Sequence, residues 1–233
     1  MRRSKLYRAQ ASAVDNSKLY SLKDSIELLK EMGHVKFDET IDLAFKLGID
    51  PRQSDQNVRG ALPLPKGTGK DITICVIASD KAADEAKAAG AEFVGMEEMI
   101  DKIKGGWVGF DILIATPSAM PSVRPLGRVL GPRGLMPNPK TGTVTENTAA
   151  AVAEAKAGRV EYRADKGGCI HVPAGKVSFT SADIEENCDA IVAALVSARP
   201  ASSKGIYLQS ATISSTMGPG IKLDTKTIVK EAL

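Results

Sequence analysis

A row of hydroxyl side chains near the end of the chain is the first pattern that could do chemistry. Between positions 210 and 216 a hydroxyl occurs at every second residue: Ser210, Thr212, Ser214 and Thr216. Since side chains alternate between the two faces of a strand, these four are predicted to share one face. Met217 and Gly218 follow, and a glycine lets another backbone approach closely. Such a row is either a solvated outer face or a set of donors and acceptors for ribose hydroxyls and phosphates.

A second candidate group lies in the first third of the chain, where Lys36 and Phe37 are followed by Glu39 and Thr40. A cation beside an aromatic ring, just before a strand, can combine a phosphate contact with base stacking. The alternative is that Phe37 anchors the core. His171 also lies on a predicted strand, and a lone strand histidine is either structural or a hydrogen-bond donor to a ligand.

Catalytic and metal-binding signatures are sparse. The segment Lys66-Gly67-Thr68-Gly69-Lys70 is similar to a phosphate loop, but it has no first loop glycine and precedes a strand instead of opening a helix. No dinucleotide, nucleophile-elbow or zinc-protease motif is present, and the three cysteines share no metal-ligand spacing. We therefore expect no enzyme, no cofactor and no metal. An α/β domain that binds a phosphorylated metabolite is the alternative of a different class.

The positive charge is unevenly distributed. The net charge is only +3, and all of the excess lies in residues 1–66, which carry 12 basic and 9 acidic side chains. Residues 1–14, 112–145 and 190–223 contain no acid, as a surface for a polyanion requires, although chance clustering is the alternative. The middle stretch holds four candidates for secondary contacts with RNA or tRNA: Arg124, Arg128, Arg133 and Lys140.

Hydrophobic periodicity predicts two kinds of sheet. The segment 40–47 alternates apolar and polar residues, which is typical of a half-buried antiparallel strand, whereas 72–78 is a nearly continuous apolar run, as in a covered parallel strand. Further strands are predicted near 58–64, 91–95, 111–115, 160–165, 169–172 and 206–216, with a short last strand, and helices at 21–33, 81–89, 96–104, 148–157 and 181–198. We interpret 160–172 as a hairpin and 116–142 as turns and short helical pieces.

These elements predict a discontinuous architecture. Residues 1–66 and 160–233 each hold too few strands for a sheet of their own, so we expect them to share one α+β domain. Residues 67–159 are predicted to form an inserted Rossmann-like α/β domain, with the two chain crossings as a double-stranded hinge. No apolar run approaches the roughly 18 residues that span a membrane, and the cysteine usage fits a cytoplasmic setting.

The segment Leu126-Gly127-Arg128-Val129-Leu130-Gly131-Pro132-Arg133-Gly134-Leu135-Met136-Pro137-Asn138-Pro139-Lys140 closely resembles the signature of the bacterial large-subunit ribosomal protein L-one family. The resemblance continues in register through 36–40, 47–52, 54–60 and 215–219. It extends from about Tyr7 to Leu223 and leaves the final ten residues as a variable tail.

The resemblance implies a split α+β first domain with an inserted Rossmann-like domain. It also implies that the first domain binds the helical stalk of large-subunit rRNA beside the tRNA exit site, with RNA contacts at Phe37, Ser210, Thr216, Met217 and Gly218. Lys36, Glu39 and Thr40 lie near these positions in the sequence. Expected roles are structural, in release of deacylated tRNA and in repression of the protein's own operon mRNA, as a monomer within the ribosome. A free-standing messenger-binding regulator is the remaining alternative.

Overall fold

The computed structural model describes residues 4–15, 17–33 and 35–231, apart from the side chains of Ser54, Asp80, Lys140 and Glu231. In chain order the helices and strands are α1 Lys5–Ala13, α2 Leu22–Glu31, β1 Thr40–Leu47, β2 Arg59–Pro63, β3 Ile74–Ile77, α3 Asp80–Ala88, β4 Phe93–Gly95, α4 Glu97–Lys104, β5 Ile112–Ala115, α5 Met120–Val123, α6 Gly127–Leu130, α7 Thr148–Lys156, β6 Arg159–Arg163, β7 Cys169–Lys176, α8 Ser181–Ser197, β8 Leu208–Ser215, β9 Ile221–Leu223 and α9 Thr225–Glu231.

The chain divides into two compact units. Unit 1 comprises residues 1–69 together with 160–233, and unit 2 comprises residues 70–159. The boundaries predicted from the sequence lie at 66/67 and 159/160. That each unit folds as an independent domain stays a prediction.

Unit 1 is built on an antiparallel sheet with the strand order β7-β1-β8-β9. The strand β1 from the N-terminal segment lies between two strands from the C-terminal segment, with Leu43 opposite Val172 on one side and Ile213 on the other. The apolar side chains of these strands form one core with the helices α2, α8 and α9. The strict alternation of β1 therefore places its apolar face against helices and leaves its polar face outward.

Capping side chains fix where the helices of unit 1 begin. The Ser21 hydroxyl accepts a hydrogen bond from the Asp24 amide at 3.2 Å, and the Thr180 hydroxyl accepts one from the Asp183 amide at 3.2 Å. Each bond satisfies a donor that has no partner within its own helix.

Unit 2 contains a parallel sheet with the strand order β4-β3-β5. Cys75 and Ile77 of β3 pack into a cluster with α4 and the 119–130 segment, and Ile74 and Val76 pack into another with α3 and α7. Both faces of this sheet are thus covered, as the continuous apolar run predicts.

The structure corrects one feature of the sequence interpretation. The strands β6 and β7 do not form a hairpin, because β6 pairs with β2 in a separate two-stranded sheet while β7 pairs with β1. The structure also contains two helices that the sequence analysis does not predict, α1 and α9, and α9 lies within the final ten residues. Between residues 116 and 142 the chain forms α5, α6 and 3-10 turns, in agreement with the prediction.

Candidate nucleic-acid interface

The outward face of the antiparallel sheet in unit 1 brings together residues from four strands. We call it the open face and define it by twelve side chains that alternate with the buried ones: Thr40, Asp42, Ala44, Lys46, Cys169, His171, Pro173, Lys176, Ser210, Thr212, Ser214 and Lys222. Each of them is exposed or partly exposed, whereas their inward neighbours such as Ile41, Ile170 and Ile213 are fully buried.

The strand register orders these side chains into rows across the sheet. Ala44 lies opposite both His171 and Thr212, and Thr212 lies opposite Lys222 on the next strand. One row along, Asp42 lies between Pro173 and Ser214. The pairing thus places His171 and Lys222 on the outer strands and the hydroxyls of β8 beside the centre of the face.

Thr216, the last member of the hydroxyl row, lies where the strands β1 and β8 end. The Thr216 hydroxyl accepts a hydrogen bond from the Thr40 amide at 3.0 Å and donates one to the Thr40 carbonyl at 3.2 Å. The Thr216 side chain therefore extends the hydrogen-bond ladder between β1 and β8. Next to it, the Gly218 amide donates to the Ser215 hydroxyl at 3.1 Å, and an added Cβ at Gly218 would lie 2.5 Å from that oxygen, so a side chain there would displace the Ser215 hydroxyl.

Glu39 lies beneath this edge. Its side chain is only 3% exposed, and its Oε2 accepts a hydrogen bond from the Met217 amide at 3.3 Å. In the sequence analysis Glu39 is a candidate RNA contact. The structure gives its carboxylate a positioning role instead, because it holds the backbone of Met217 and is not presented at the surface.

The side chains of Phe37 and Met217 are exposed at the same end of the sheet. The hydrogen bonds of Glu39 and Thr40 described above hold together the two segments that carry them. Phe37 is 54% exposed and Met217 is 52% exposed. This exposure excludes the alternative in which Phe37 anchors the core. Lys36 is also exposed, and Asp38 fixes the backbone of the segment by accepting hydrogen bonds from the Ser178 amide and hydroxyl at 3.1 and 2.7 Å.

Charges on the open face are partly engaged with the protein itself. The Lys176 ammonium donates to the Thr40 hydroxyl at 2.9 Å, and the Lys46 ammonium donates to the Gly167 carbonyl. Desolvation by the surrounding strands raises the pKa of Asp42 above its usual value, and the positive charges of His171 and Lys176 oppose that shift.

The turn before β7 is organised by Asp165. Its Oδ1 accepts hydrogen bonds from the Cys169 and Gly167 amides at 2.7 and 2.8 Å, and these bonds lower the pKa of the Asp165 carboxyl. The turn thus ends in a fixed conformation beside Cys169, at one end of the open face.

The secondary candidates lie in unit 2. Arg124, Arg128 and Arg133 are exposed on the segment that includes α5 and α6, and the side chain of Lys140 lies outside the described part of the chain. The glycine-rich segment at 66–70 does not form a phosphate loop. The Lys66 ammonium is 3.4 Å from both Asp183 and Glu186, and that of Lys70 is 2.6 Å from Asp111.

Sequence reasoning missed several members of the open face. Asp42, Lys46, Cys169, Lys176 and Lys222 were not singled out, because their common position depends on strand register, which the sequence does not reveal. The alternation of β1 is the one signal that could have identified Asp42 and Lys46. Within the described ranges, no cluster of His, Cys, Asp or Glu could hold a metal ion, and no helix is long and apolar enough to cross a bilayer.

The fold and the candidate interface define a protein of mixed α/β and α+β class that is built around an exposed polar sheet. The chain belongs to the ribosomal protein L1p/L10e family, whose model matches residues 28–219. It is 55% identical to the large ribosomal subunit protein uL1 of Cellvibrio japonicus over 225 residues, which cover 97% of each chain. It is 53% identical to the protein of the same name from Lactobacillus acidophilus over 220 residues, 94% of this chain and 96% of that one.

Family membership confirms the resemblance that the sequence motifs indicate. It also confirms that the chain is a structural ribosomal protein and not an enzyme, because the family and the relatives are ribosomal proteins.

Proposed function

We propose that the chain is a constituent of the large ribosomal subunit and binds the helical stalk of the large-subunit rRNA beside the tRNA exit site. The observation that carries the proposal is the edge of the open face, where Phe37 and Met217 are half exposed beside a row of hydroxyls. The names of the relatives support the large-subunit assignment. Bacterial ribosomes are cytoplasmic, in agreement with the predicted location.

The mechanism we infer is recognition of RNA shape. The hydroxyls of Ser210, Thr212 and Ser214 would bond to riboses, while His171 and the lysines at the outer strands would face phosphates. Phe37 and Met217 would supply flat apolar contacts at one end. Thr216 already bonds to Thr40, so it would contribute chiefly by holding the edge in shape.

Substitution of Met217 tests this proposal. Met217→Asp places a carboxylate at the proposed contact and should weaken binding to a stalk hairpin by about 1–3 kcal/mol, roughly 5- to 150-fold. Leu6→Asp is the matched control, since Leu6 is 60% exposed on α1, which contributes no side chain to the open face. Filter binding against the hairpin and a scrambled RNA measures both variants, and equal affinities of the two would remove the proposed site.

Salt dependence tests the mechanism separately. Because the face carries few cations and two of its lysines bond to the protein, we expect few phosphate contacts and a shallow slope of log affinity against log salt. A steep slope, as for a binder with many phosphate contacts, would contradict recognition by hydroxyls and shape.

We further propose that unit 2 assists the release of deacylated tRNA. The support is the exposed arginine group Arg124, Arg128 and Arg133 in a stretch without acidic residues. Replacing all three by alanine should weaken tRNA crosslinking on the ribosome while leaving stalk affinity within about 3-fold, since these arginines lie in unit 2 and contribute no side chain to the open face. Loss of stalk binding instead would assign these arginines to the rRNA contact.

Repression of the protein's own operon mRNA would use the same face of unit 1, because a stalk-like messenger presents the same shape. The messenger and the rRNA hairpin should then compete for one site, and Met217→Asp should weaken both. Co-sedimentation with large subunits distinguishes this dual role from a free-standing messenger regulator, which would not enter the subunit.

A further inference from the structure

A cavity opens in unit 1 on the helical side of the four-stranded sheet, between the end of α8, the start of β8 and α9. Its volume is about 380 Å³. The apolar part of its lining consists of Val196, Ile206, Tyr207, Leu208 and Val229, and no lining residue belongs to the open face. An apolar cavity of roughly 300–1,000 Å³ that also holds a few polar groups is typical of a binding site.

Ile206 lies at the rim of this cavity. It is 76% exposed, more than any other large apolar side chain in the described ranges. The loop that carries it is held in place by hydrogen bonds. The Arg199 guanidinium donates to the carbonyls of Ser203 and Gly205, both at 3.2 Å, and the Ser203 hydroxyl donates to the Gly48 carbonyl at 3.2 Å. Ile206 is therefore exposed on a fixed loop, and a preorganised apolar surface binds a partner at a lower entropic cost.

Two cations flank the apolar lining. Arg199 follows α8 and lies over the Tyr207 ring, 5.9 Å from its centroid, and Lys226 lies in the first turn of α9. Both side chains are exposed, and both line the cavity. Among the residues that the structure describes, neither cation has a carboxylate within ion-pair distance. Their charges thus remain accessible to a partner.

Acidic residues are scarce around the cavity. The stretch 190–223, which contributes four of the lining residues, has none. Asp224 is the next acid along the chain, and its carboxylate accepts hydrogen bonds from the Thr227 hydroxyl at 2.8 Å and the Lys226 amide at 3.1 Å. These bonds lower the pKa of Asp224 and engage its charge at the start of α9. The cavity therefore has a cationic rim that is complementary to an anionic partner.

The apolar lining and the cationic rim together indicate the class of partner. An RNA strand would satisfy the cations, but it would bring riboses and phosphates against aliphatic side chains, where they lose hydration without gaining a hydrogen bond. An acidic peptide with one large apolar side chain suits both features. Its apolar side chain leaves water in the cavity, and its carboxylates meet the cations at the rim.

We propose that this cavity is a docking site for an acidic peptide segment of another protein. The segment inserts one large apolar side chain between α8 and α9 and places carboxylates against Arg199 and Lys226. Because the cavity shares no lining residue with the open face, the chain can hold the peptide and an RNA at the same time.

The test uses short capped peptides in which one phenylalanine, leucine or tryptophan is flanked on both sides by glutamates. Each is titrated into the full chain and followed by calorimetry and by amide NMR shifts. We expect at least one of them to bind saturably with a Kd between about 10 μM and 1 mM, with shifts centred on Ile206, Tyr207 and Val229. Replacing its apolar residue by alanine should weaken binding by at least about 10-fold, because the buried side chain supplies much of the affinity.

Two substitutions locate the binding site. Ile206→Glu and Lys226→Glu should each weaken peptide binding by at least about 5-fold, since each places a carboxylate beside those of the peptide. Leu6→Glu is the control for the first, because Leu6 is also an exposed apolar residue. Lys81→Glu is the control for the second, because Lys81 and Lys226 are both exposed at the second position of a short helix. Both controls should bind within about 2-fold of the wild type.

Three results would overturn the inference. One is the lack of saturable binding of all three peptides up to about 1 mM. Another is equal affinity of the substituted and control proteins for the peptide. The third concerns the stalk hairpin, which should bind together with the peptide. Displacement of the peptide by the hairpin, with loss of hairpin affinity in Ile206→Glu, would assign the cavity to RNA instead.

Discussion

The four-stranded sheet of unit 1 and the three-stranded sheet of unit 2 differ in how many of their faces are covered by other parts of the protein. In unit 2 the residues of β3 are buried on both sides, against α4 on one face and α3 and α7 on the other. In unit 1 the helices cover one face of the sheet, and the other carries hydroxyl, cationic and small side chains. A sheet that is covered on both faces can offer a partner only its edges and loops, whereas a sheet with a free face can present contacts from several strands at once.

The strongest way to test this comparison is to place the same charge on each sheet. Val76 on β3 is fully buried, so Val76→Asp should destabilise unit 2 by more than about 4 kcal/mol or unfold it. Ser210→Asp on the open face should change stability by no more than about 0.5 kcal/mol and should still weaken stalk binding. Urea denaturation and filter binding measure the two effects. A similar loss of stability in both variants would contradict the difference between the sheets.

The same difference explains how much of the fold could be predicted. Alternation at 40–47 and the continuous apolar run at 72–78 are local signals, and each correctly indicated the kind of sheet that its strand enters. Which strand a given strand pairs with depends instead on residues that are distant in the sequence. The turn at Lys166-Gly167-Gly168 indicates a hairpin, yet β7 pairs with β1, about 130 residues away in sequence, and β6 pairs with β2.

Asn187 provides a second, smaller test, because it holds together parts of unit 1 that are distant in sequence. Its buried amide accepts a hydrogen bond from the Lys66 amide at 3.0 Å and donates to the carbonyls of Gly67 and Ala174 at 3.1 and 2.8 Å. Asn187→Leu leaves these backbone groups without their partner and should destabilise unit 1 by about 1–3 kcal/mol. Since Asn187 is remote from the open face, stalk affinity below the melting temperature should be unchanged. Loss of affinity in the folded variant would mean that the crossing segment contributes to binding.

The candidate site was predictable in part for similar reasons. The hydroxyl row follows from the alternation of one strand, and the structure places Ser210, Thr212 and Ser214 on one face. Thr216, the fourth predicted member, lies beyond β8 and bonds to the backbone of Thr40 instead. The sequence alone could not decide whether Phe37 packs into the core, because an aromatic residue next to a strand occurs in cores as well as on surfaces. The burial of Glu39 under Met217 depends on a contact across 178 positions, which no local pattern encodes.

A third, still smaller effect concerns the cap of α8. The Thr180 hydroxyl donates to the Asp183 carboxylate at 2.6 Å, and this bond, with a further contribution from Lys66, lowers the pKa of Asp183 below its ordinary value of 3.8. A lowered pKa in the folded state means that the ionised carboxylate stabilises the fold above pH 3.8 and that this stabilisation is lost as the pH falls through the folded value. Asp183→Asn should therefore lower Tm at pH 7, and the difference from wild type should shrink as the pH falls below 3.8. A difference that keeps the same size over this pH range would contradict the role of the charge.

The central claim is that RNA affinity resides in unit 1. Residues 1–69 joined to 160–233 by a short Gly/Ser linker should fold, because β2 before the first crossing pairs with β6 after the second, so that the linker closes a short gap at low entropic cost. Circular dichroism checks the folding of this fragment and of residues 70–159, and filter binding compares both with the full chain. The account predicts that the joined fragment binds the stalk hairpin within about 10-fold of the full chain, and that residues 70–159 bind it at least about 100-fold more weakly, in keeping with their balanced charge. A folded joined fragment that does not prefer the stalk hairpin to a scrambled RNA, or a 70–159 fragment that retains the affinity, would contradict it.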